Sequence, residues 1–272
     1  MRILIALAIA GLPAVAHADA QALLYERSLM RAAGARCGLF EPPIQRALYA
    51  SAVQARGSAL RAGAQAATLT ATERRASAKA AATPCASPEL ATAAGRVRAA
   101  FSGYARLNRI PLEGWTADRY GLGWALRQPA RFGPDAAVLG LQGRSRRPAV
   151  AASFADGRLP SAARLRLRDP ARDPHPDLRG PALAQRTPAP ASSRVFWSGA
   201  QSAAPQGLAP GKTGRLFQLP PAAAPALAAL DPREAVTVEF IFPGPRGEQQ
   251  RTAVFAVGDF AAGLAFLEAD GR

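Results

Sequence analysis

The chain has 272 residues, 49% of them hydrophobic, and a formal net charge of +15. This length is enough for one large domain or two small ones. After residue 20 the chain has two cysteines and one histidine, fewer than the four ligands of a typical structural zinc site, so no metal and no cofactor are predicted.

The basic charge lies in the first two thirds of the chain. Residues 21–109 carry 13 basic and four acidic side chains, residues 110–194 carry 14 and seven, and residues 195–272 carry six and seven. Such a charge favours anionic partners and predicts binding that weakens with salt. The alternative is a solvated basic surface that reflects GC-rich codons, because Lys79 and Lys212 are the only lysines.

The N-terminus has the layout of a secretory signal peptide. A basic residue at position 2 precedes an apolar run over residues 3–16, and residues 16–18 and 18–20 both fit small-x-small cleavage sites. The run is shorter than the roughly 20 residues that a transmembrane helix needs. We therefore predict a signal peptide over residues 1–20 and a soluble periplasmic or secreted protein, with no transmembrane helix in its mature form. An uncleaved anchor is the alternative.

Cys37 and Cys85 are the two cysteines of the chain, and both follow the predicted signal peptide. In an oxidising compartment an isolated pair most simply forms a disulfide. Two free thiols are the alternative.

Residues 21–110 are predicted to form a helical bundle, because apolar residues recur there at helical spacing. Thr70 with Glu73 fits a capping box, and Ser87 followed by Pro88 fits a capped helix start. The predicted helices cover about residues 22–36, 42–63, 70–83 and 88–108. In an up-down bundle the disulfide would join helix ends at the same pole.

The pattern changes after Pro111. We predict a β-rich segment over residues 111–168, a proline-rich linker or surface loop over 169–193, and an α+β segment over 194–272. The fold class is therefore α+β, with an N-terminal disulfide-tied helical bundle followed by a β-rich antiparallel region with short helices. Strands are predicted at 136–141, 149–154, 163–168, 215–219, 235–242 and 251–257, and helices at 222–230 and 259–268.

The C-terminal segment contains Ala226-Leu227 in a predicted short helix, a strand over Val236–Phe240, and Gly258–Ala262 at the start of the last helix. In these features it resembles the C-terminal part of the invasion-associated locus B family of secreted bacterial proteins. The resemblance covers about a fifth of the chain. It implies a small secreted β-rich module. The whole chain has the composition of a secreted protein from a high-GC proteobacterium.

Arginines are concentrated between residues 144 and 172, and their forked guanidinium groups suit phosphate and carboxylate ligands. Residues 164–168 alternate arginine and leucine, which predicts a strand with one basic face. The alternative is a solvated or edge strand that is protected by its charge. The candidate anion-binding residues are Arg144, Arg146, Arg147, Arg164, Arg166 and Arg168.

Trp115, Tyr120 and Trp124 form a cluster of aromatic residues beside Arg119. Exposed aromatic rings next to arginine can bind sugars or cations. The alternative is a core position that joins two parts of the fold.

No catalytic residue is predicted. His175 lies in the proline-rich segment, which would not hold an orienting carboxylate rigidly. The sequence before Gly211-Lys212-Thr213 has Gln206 where a P-loop requires glycine. No two acidic residues are paired by their spacing.

The sequence therefore favours a non-enzymatic envelope protein that binds or assembles through a basic surface. The expected partner is an anionic lipid, lipopolysaccharide, a cell-wall polymer or another protein. Nucleic acid is not expected, because the chain has an export signal. The alternative is a cell-envelope hydrolase with an unassigned carboxylate pair.

Overall fold

The computed structural model describes residues 13–176, 178–209, 214–245 and 247–269, with side chains from residue 19 onward. Most of the predicted signal peptide lies outside these residues, and the first helix runs through both candidate cleavage sites. The helices are α1 (Pro13–Cys37), α2 (Pro42–Arg61), α3 (Ala66–Ala82), α4 (Pro88–Ala105), α5 (Ala223–Ala228) and α6 (Phe260–Glu268).

The strands follow the bundle. They are β1 (Arg109–Leu112), β2 (Trp115–Asp118), β3 (Trp124–Phe132), β4 (Asp135–Gln142), β5 (Arg147–Ser153), β6 (Ala162–Arg168), β7 (Ser193–Trp197), β8 (Ala200–Ala203), β9 (Arg215–Gln218), β10 (Ala235–Phe242) and β11 (Gln249–Ala256). The α+β fold class, with its helical bundle followed by antiparallel sheets, is confirmed.

Local sequence determines where the helices begin and end. Gly38 has a φ of 65°, a left-handed conformation that glycine adopts without steric cost, and it follows α1 directly. The Ser87 hydroxyl accepts a hydrogen bond from the Leu90 amide at 3.2 Å, as predicted for the start of α4.

The predicted start of α3 is wrong. The helix begins four residues earlier than Thr70, whose hydroxyl donates to the Ala66 carbonyl at 3.0 Å instead of capping an amide. Glu73 forms an ion pair with Arg56 on α2 at 2.8 Å. The alanines that precede Thr70 are strong helix formers, and they extend the helix past the expected cap.

The Cys37–Cys85 disulfide is confirmed and spans 48 residues. It joins the end of α1 to the loop between α3 and α4. Buried Met30, Leu48 and Leu90 lie in one part of the bundle core, and Leu24 and Leu69 lie in another.

The strands form two antiparallel sheets. The first sheet has the order β1-β2-β3-β4-β5-β9-β8 and the second has the order β11-β10-β6-β7. Their inner faces share one core, in which Phe132 of the first sheet stacks on Phe240 of the second at 5.6 Å between ring centroids. Strand β3 and the short strands β1, β2, β7 and β8 have no counterpart among the sequence predictions.

Helix α6 joins the bundle to the sheets. It packs against α2 on one side and against β2 and β3 on the other. A Cβ atom at Gly263 would lie 2.7 Å from a methyl group of buried Leu126, so any larger residue there would require Leu126 to move. Arg61 of α2 pairs with buried Asp259 at 2.6 Å just before α6. The helical and β-rich regions therefore form one packed unit.

The proline-rich segment over residues 169–193 is a surface connection between adjacent strands. Arg168 at the end of β6 is aligned with Ser193 at the start of β7. The Asp169 amide donates to the Ser192 carbonyl at 2.9 Å, which closes the base of the loop. A 3₁₀ turn at Leu183–Arg186 contacts β10 and β11. The segment thus lies on the second sheet and does not separate two domains.

Within the described ranges, no helix is long and apolar enough to cross a membrane.

Candidate anion-binding surface

Two loops meet at one end of the first sheet. The turn between β4 and β5 lies beside the loop between β2 and β3, and the Gly143 amide donates to the Gly123 carbonyl at 2.9 Å. Gly143 has a φ of 60°, a left-handed conformation that the tight turn requires. Trp124 and Gln142 are aligned just below this contact. The two loops are therefore held as one surface.

Five arginines surround this contact. Arg144 and Arg146 lie on the β4–β5 turn, Arg147 begins β5, and Arg109 and Arg127 lie on β1 and β3. Arg109, Arg127, Arg144 and Arg147 are exposed, and none of these four forms an ion pair with a carboxylate in the described part of the chain. We call these five residues the arginine pole.

Exposed apolar side chains lie among the arginines. Leu122, between two glycines in the β2–β3 loop, is 81% exposed, and Tyr120 in the same loop is 43% exposed. Leu107, in the connection that follows α4, is 44% exposed. A protruding leucine in a loop that touches an arginine-rich turn is typical of surfaces that contact an anionic lipid interface.

A small cavity of about 190 Å³ lies between Arg109 and Arg127. Gly123 also lines it, which connects the cavity to the two loops. The volume exceeds that of several water molecules, at about 30 Å³ each. Asp118 is the acidic side chain of the cavity, and it accepts a hydrogen bond from the Tyr120 amide at 3.0 Å. The cavity can therefore accept a small anionic group, and Asp118 weakens its positive potential.

The predicted aromatic cluster is divided by the fold. Trp115 is buried, donates from its indole nitrogen to the Val257 carbonyl at 2.8 Å, and packs edge-on against Phe260. Trp124 is also buried, and its indole donates to the Leu208 carbonyl at 3.1 Å. Both tryptophans are core residues. Tyr120 alone of the three presents its side chain to solvent.

The arginines of β6 have partners inside the protein. The alternation of Arg164, Arg166 and Arg168 places them on one face, as predicted. Glu239 on the neighbouring strand accepts hydrogen bonds from both Arg164 and Arg166, and the latter pair is bidentate at 2.9 and 3.1 Å. Burial alone would raise the pKa of Glu239, but the hydrogen bonds from Arg166 and Arg164 hold it below its ordinary value.

Arg168 is buried and binds Glu234 through two hydrogen bonds of 2.7 and 2.8 Å. These hydrogen bonds to the Glu234 carboxylate raise the pKa of Arg168. The β6 arginines therefore neutralise carboxylates of β10 and its preceding turn. Among the six arginines that the sequence singled out, Arg144 and Arg147 are the exposed ones.

One pair of carboxylates converges on a single arginine. Nη1 of Arg251 donates to Asp135 at 3.0 Å and to Asp156 at 3.3 Å, beside an open cavity of about 650 Å³. The hydrogen bond from Arg251 lowers the pKa of Asp156. A hydrolase of the carboxylate type needs an acid whose pKa is raised. Among the described residues, the carboxyl groups with a shifted pKa are Asp156, Asp231 and Glu239, and all three are shifted downward.

The remaining sequence candidates do not add a site. His175 is exposed, and its backbone amide donates to Asp173 at 3.3 Å. Gly211, Lys212 and Thr213 lie outside the described residues. Among the side chains that the structure describes, no cluster of three His, Cys, Asp or Glu could hold a metal ion.

Sequence reasoning missed Arg109, Arg127 and Leu122. Arg109 and Arg127 lie on strands that the sequence does not predict, and nothing in the sequence shows that these strands reach the Arg144 turn. The one available signal is Leu122 between Gly121 and Gly123, which is an apolar residue in a loop.

Comparisons of the chain with protein-family models, with curated proteins and with solved structures found no significant match. The resemblance of the C-terminal segment to the invasion-associated locus B family therefore rests on its residues and stays a prediction.

Proposed function

We propose that the chain is an exported, non-enzymatic protein of the cell envelope that binds an anionic lipid surface through the arginine pole. The observation that carries the proposal is the contact between Gly143 and Gly123, which places protruding Leu122 among the exposed arginines of the pole. Export is supported by the signal-peptide pattern of residues 1–20 and agrees with the disulfide.

The charges and the leucine act on a membrane in different ways. An arginine near an anionic membrane contributes about 1 kcal/mol of binding free energy, and this contribution is screened by salt. A fully buried leucine side chain adds about 1.5–3 kcal/mol that depends little on salt. A cell-wall polymer would use the arginines but would give Leu122 no apolar environment. The exposed leucine therefore favours lipid over polymer.

The observed ion pairs support binding rather than catalysis. Asp135 and Asp156, which converge beside a cavity, are both hydrogen-bonded to Arg251. The hydrogen bond from Arg251 lowers the pKa of Asp156, which is the opposite of the shift that a general acid needs near neutral pH. The hydrolase alternative is therefore less well supported than the binding function.

Co-sedimentation of the purified protein tests the proposal. The probes are phosphatidylglycerol-containing vesicles, pure phosphatidylcholine vesicles and purified cell-wall sacculi, each over a salt series. We expect binding to the anionic vesicles that weakens with salt and is absent with phosphatidylcholine. Binding to sacculi alone would replace lipid by a cell-wall polymer, and binding to none of the probes at low salt would refute the proposal.

Variants test whether residues of the arginine pole bind the vesicles. Replacing Arg144 and Arg147 together by serine removes two exposed cations and should weaken vesicle binding about 30-fold. The matched control replaces Arg74 and Lys79, two exposed cations of α3 in the bundle, and should leave binding within about twofold.

Mass measurement of the exported protein tests export itself, since we expect an N-terminus at Asp19 or Gln21. Retention of the first residues would contradict that part of the proposal.

A further inference from the structure

A groove runs along the outside of the bundle between α1 and α4. The two helices contact each other little and both pack against α2, which forms the floor. The groove has a volume of about 440 Å³. Its apolar lining comes from three helices and consists of Leu23, Leu29, Met30, Leu48, Val97 and Phe101. Ligand sites of this size, mostly apolar with a few polar groups, commonly lie between the helices of bundles.

Arg27 lines this groove and binds a backbone carbonyl of its floor. Its side chain is half-buried, and Nη1 donates to the Ser51 carbonyl of α2 at 2.9 Å. No ion pair joins Arg27 to any carboxylate among the residues that the structure describes. Burial lowers the pKa of Arg27, although nearby Tyr104 and Glu26 oppose the shift.

This environment is costly for a cation. A charge that is withdrawn from water is stabilised when an opposite charge and hydrogen bonds replace the lost hydration. A neutral carbonyl supplies one hydrogen bond to Arg27 and no counter-charge. The exposed guanidinium of Arg96 lies at the rim of the same groove and adds a second cation. An anionic group placed there would supply a counter-charge to both arginines.

We infer that the groove binds an anionic amphiphile with a single alkyl chain. The chain would lie on the apolar lining, and its charged end would bind Arg27 and Arg96. Glu26 also lines the groove, so a singly charged head group is favoured over a doubly charged one. This site is separate from the arginine pole and does not depend on the proposed function.

Calorimetric titration of the full chain tests the inference, with octanoate as the probe and octan-1-ol as its uncharged match. We expect octanoate to bind about tenfold more tightly than octanol, because a hydrogen bond to a charged group is the stronger kind. Decanoate should bind about tenfold more tightly than octanoate, since each added methylene is buried. Octyl phosphate, which is doubly charged above its second pKa, should bind more weakly than octanoate.

Variants distinguish the contribution of the Arg27 charge to binding from that of the apolar groove. Arg27→Gln should lower the preference for octanoate over octanol to what exposed Arg96 alone provides, and Arg27→Lys should keep the full preference. Ala93→Trp fills the groove without removing either arginine and should abolish binding of both probes. Ala91→Trp, at an exposed position on the same helix, should change nothing. Thermal unfolding of each variant confirms that it is folded.

Two results would overturn the inference. One is equal affinity of the unmodified protein for octanoate and octanol. The other is octanoate binding that survives Ala93→Trp. Neither of these results depends on whether the Arg27→Gln variant folds. Loss of vesicle binding in the Arg144 and Arg147 variant with octanoate binding retained would show that the two sites are independent.

Discussion

Arg119 donates two hydrogen bonds, from Nε and Nη2, to the Phe266 carbonyl near the end of α6, at 3.1 and 3.0 Å. Its Nη1 donates to the carbonyls of Ala105 and Leu107 at 2.7 and 2.9 Å. One buried guanidinium thus holds the end of α4, the β2–β3 loop and α6 together. The same loop carries Leu122, so Arg119 also supports the arginine pole.

Arg119→Met should destabilise the protein by about 3 kcal/mol, because it leaves buried carbonyl groups without donors. The change in free energy of unfolding can be measured by urea titration. Arg131→Met, at an exposed position of β3, is the matched control and should lie within about 0.5 kcal/mol of the unmodified protein. Equal losses in the two variants would show that Arg119 does not join these elements.

Glu239→Gln should destabilise the protein by about 2 kcal/mol at neutral pH, because it leaves Arg164 and Arg166 without their counter-charge. The pKa of Glu239 is lowered in the folded protein, so its contribution is complete above the ordinary glutamate pKa and is lost as the pH falls through the lowered value. The difference between variant and unmodified protein should therefore shrink in acid. Urea unfolding over a pH series measures this difference.

The exposed carboxylate of Glu248 provides the control for that series, and Glu248→Gln should have little effect at any pH. A difference for Glu239→Gln that stays constant down to strongly acidic pH would mean that its ion pairs contribute nothing to stability.

Replacing Cys37 and Cys85 together by serine should cost about 4 kcal/mol of unfolding free energy, because the disulfide closes a loop of 48 residues. Hydrogen exchange should show that backbone amides of the bundle lose protection, whereas those of the β10–β11 pair keep it. An unchanged free energy of unfolding would mean that α1–α4 and their contacts hold the bundle without the crosslink.

The elements with clear periodicity can be predicted from sequence. The strand over 235–242 and the capped start of α4 at Pro88 are predicted correctly, because each has a local signal. The strand β3 contains Pro129, which is rare within strands, and β1 and β2 have only four residues each. Such short or interrupted strands depend on their partners for stability, and the sequence does not reveal those partners.

The contacts of the candidate site residues likewise depend on partners that are distant in the sequence. The sequence shows the alternation over residues 164–168, but Glu239 lies more than 70 residues away and its pairing with β6 depends on the sheet order. Arg144 and Tyr120 are both sequence candidates, yet nothing local indicates that their loops touch. In the sequence, Trp115 and Trp124 fit either a binding role or the more common core role, and their burial decides for the core.

Asp118→Asn should strengthen binding to anionic vesicles by about fivefold, because it removes the negative charge from the cavity between Arg109 and Arg127. The asparagine oxygen can still accept the hydrogen bond from Tyr120, so the loop should keep its shape. Vesicle co-sedimentation at low salt measures the effect. Weaker or unchanged binding would place the contact surface away from this cavity.

The most direct test of the arginine pole asks whether the side chain at position 122 enters the lipid interface. A Leu122→Trp variant in a Trp197→Phe background reports this by fluorescence, because Trp115 and Trp124 are buried. Leu159→Trp in the same background is the control, since Leu159 is 53% exposed outside the arginine pole.

With phosphatidylglycerol vesicles, we predict that the emission of the tryptophan introduced at position 122 shifts to the blue and is no longer quenched by acrylamide. Neither change should occur with phosphatidylcholine vesicles or at position 159. Emission from position 122 that stays solvent-exposed on bound vesicles, or equal shifts at both positions, would contradict the account.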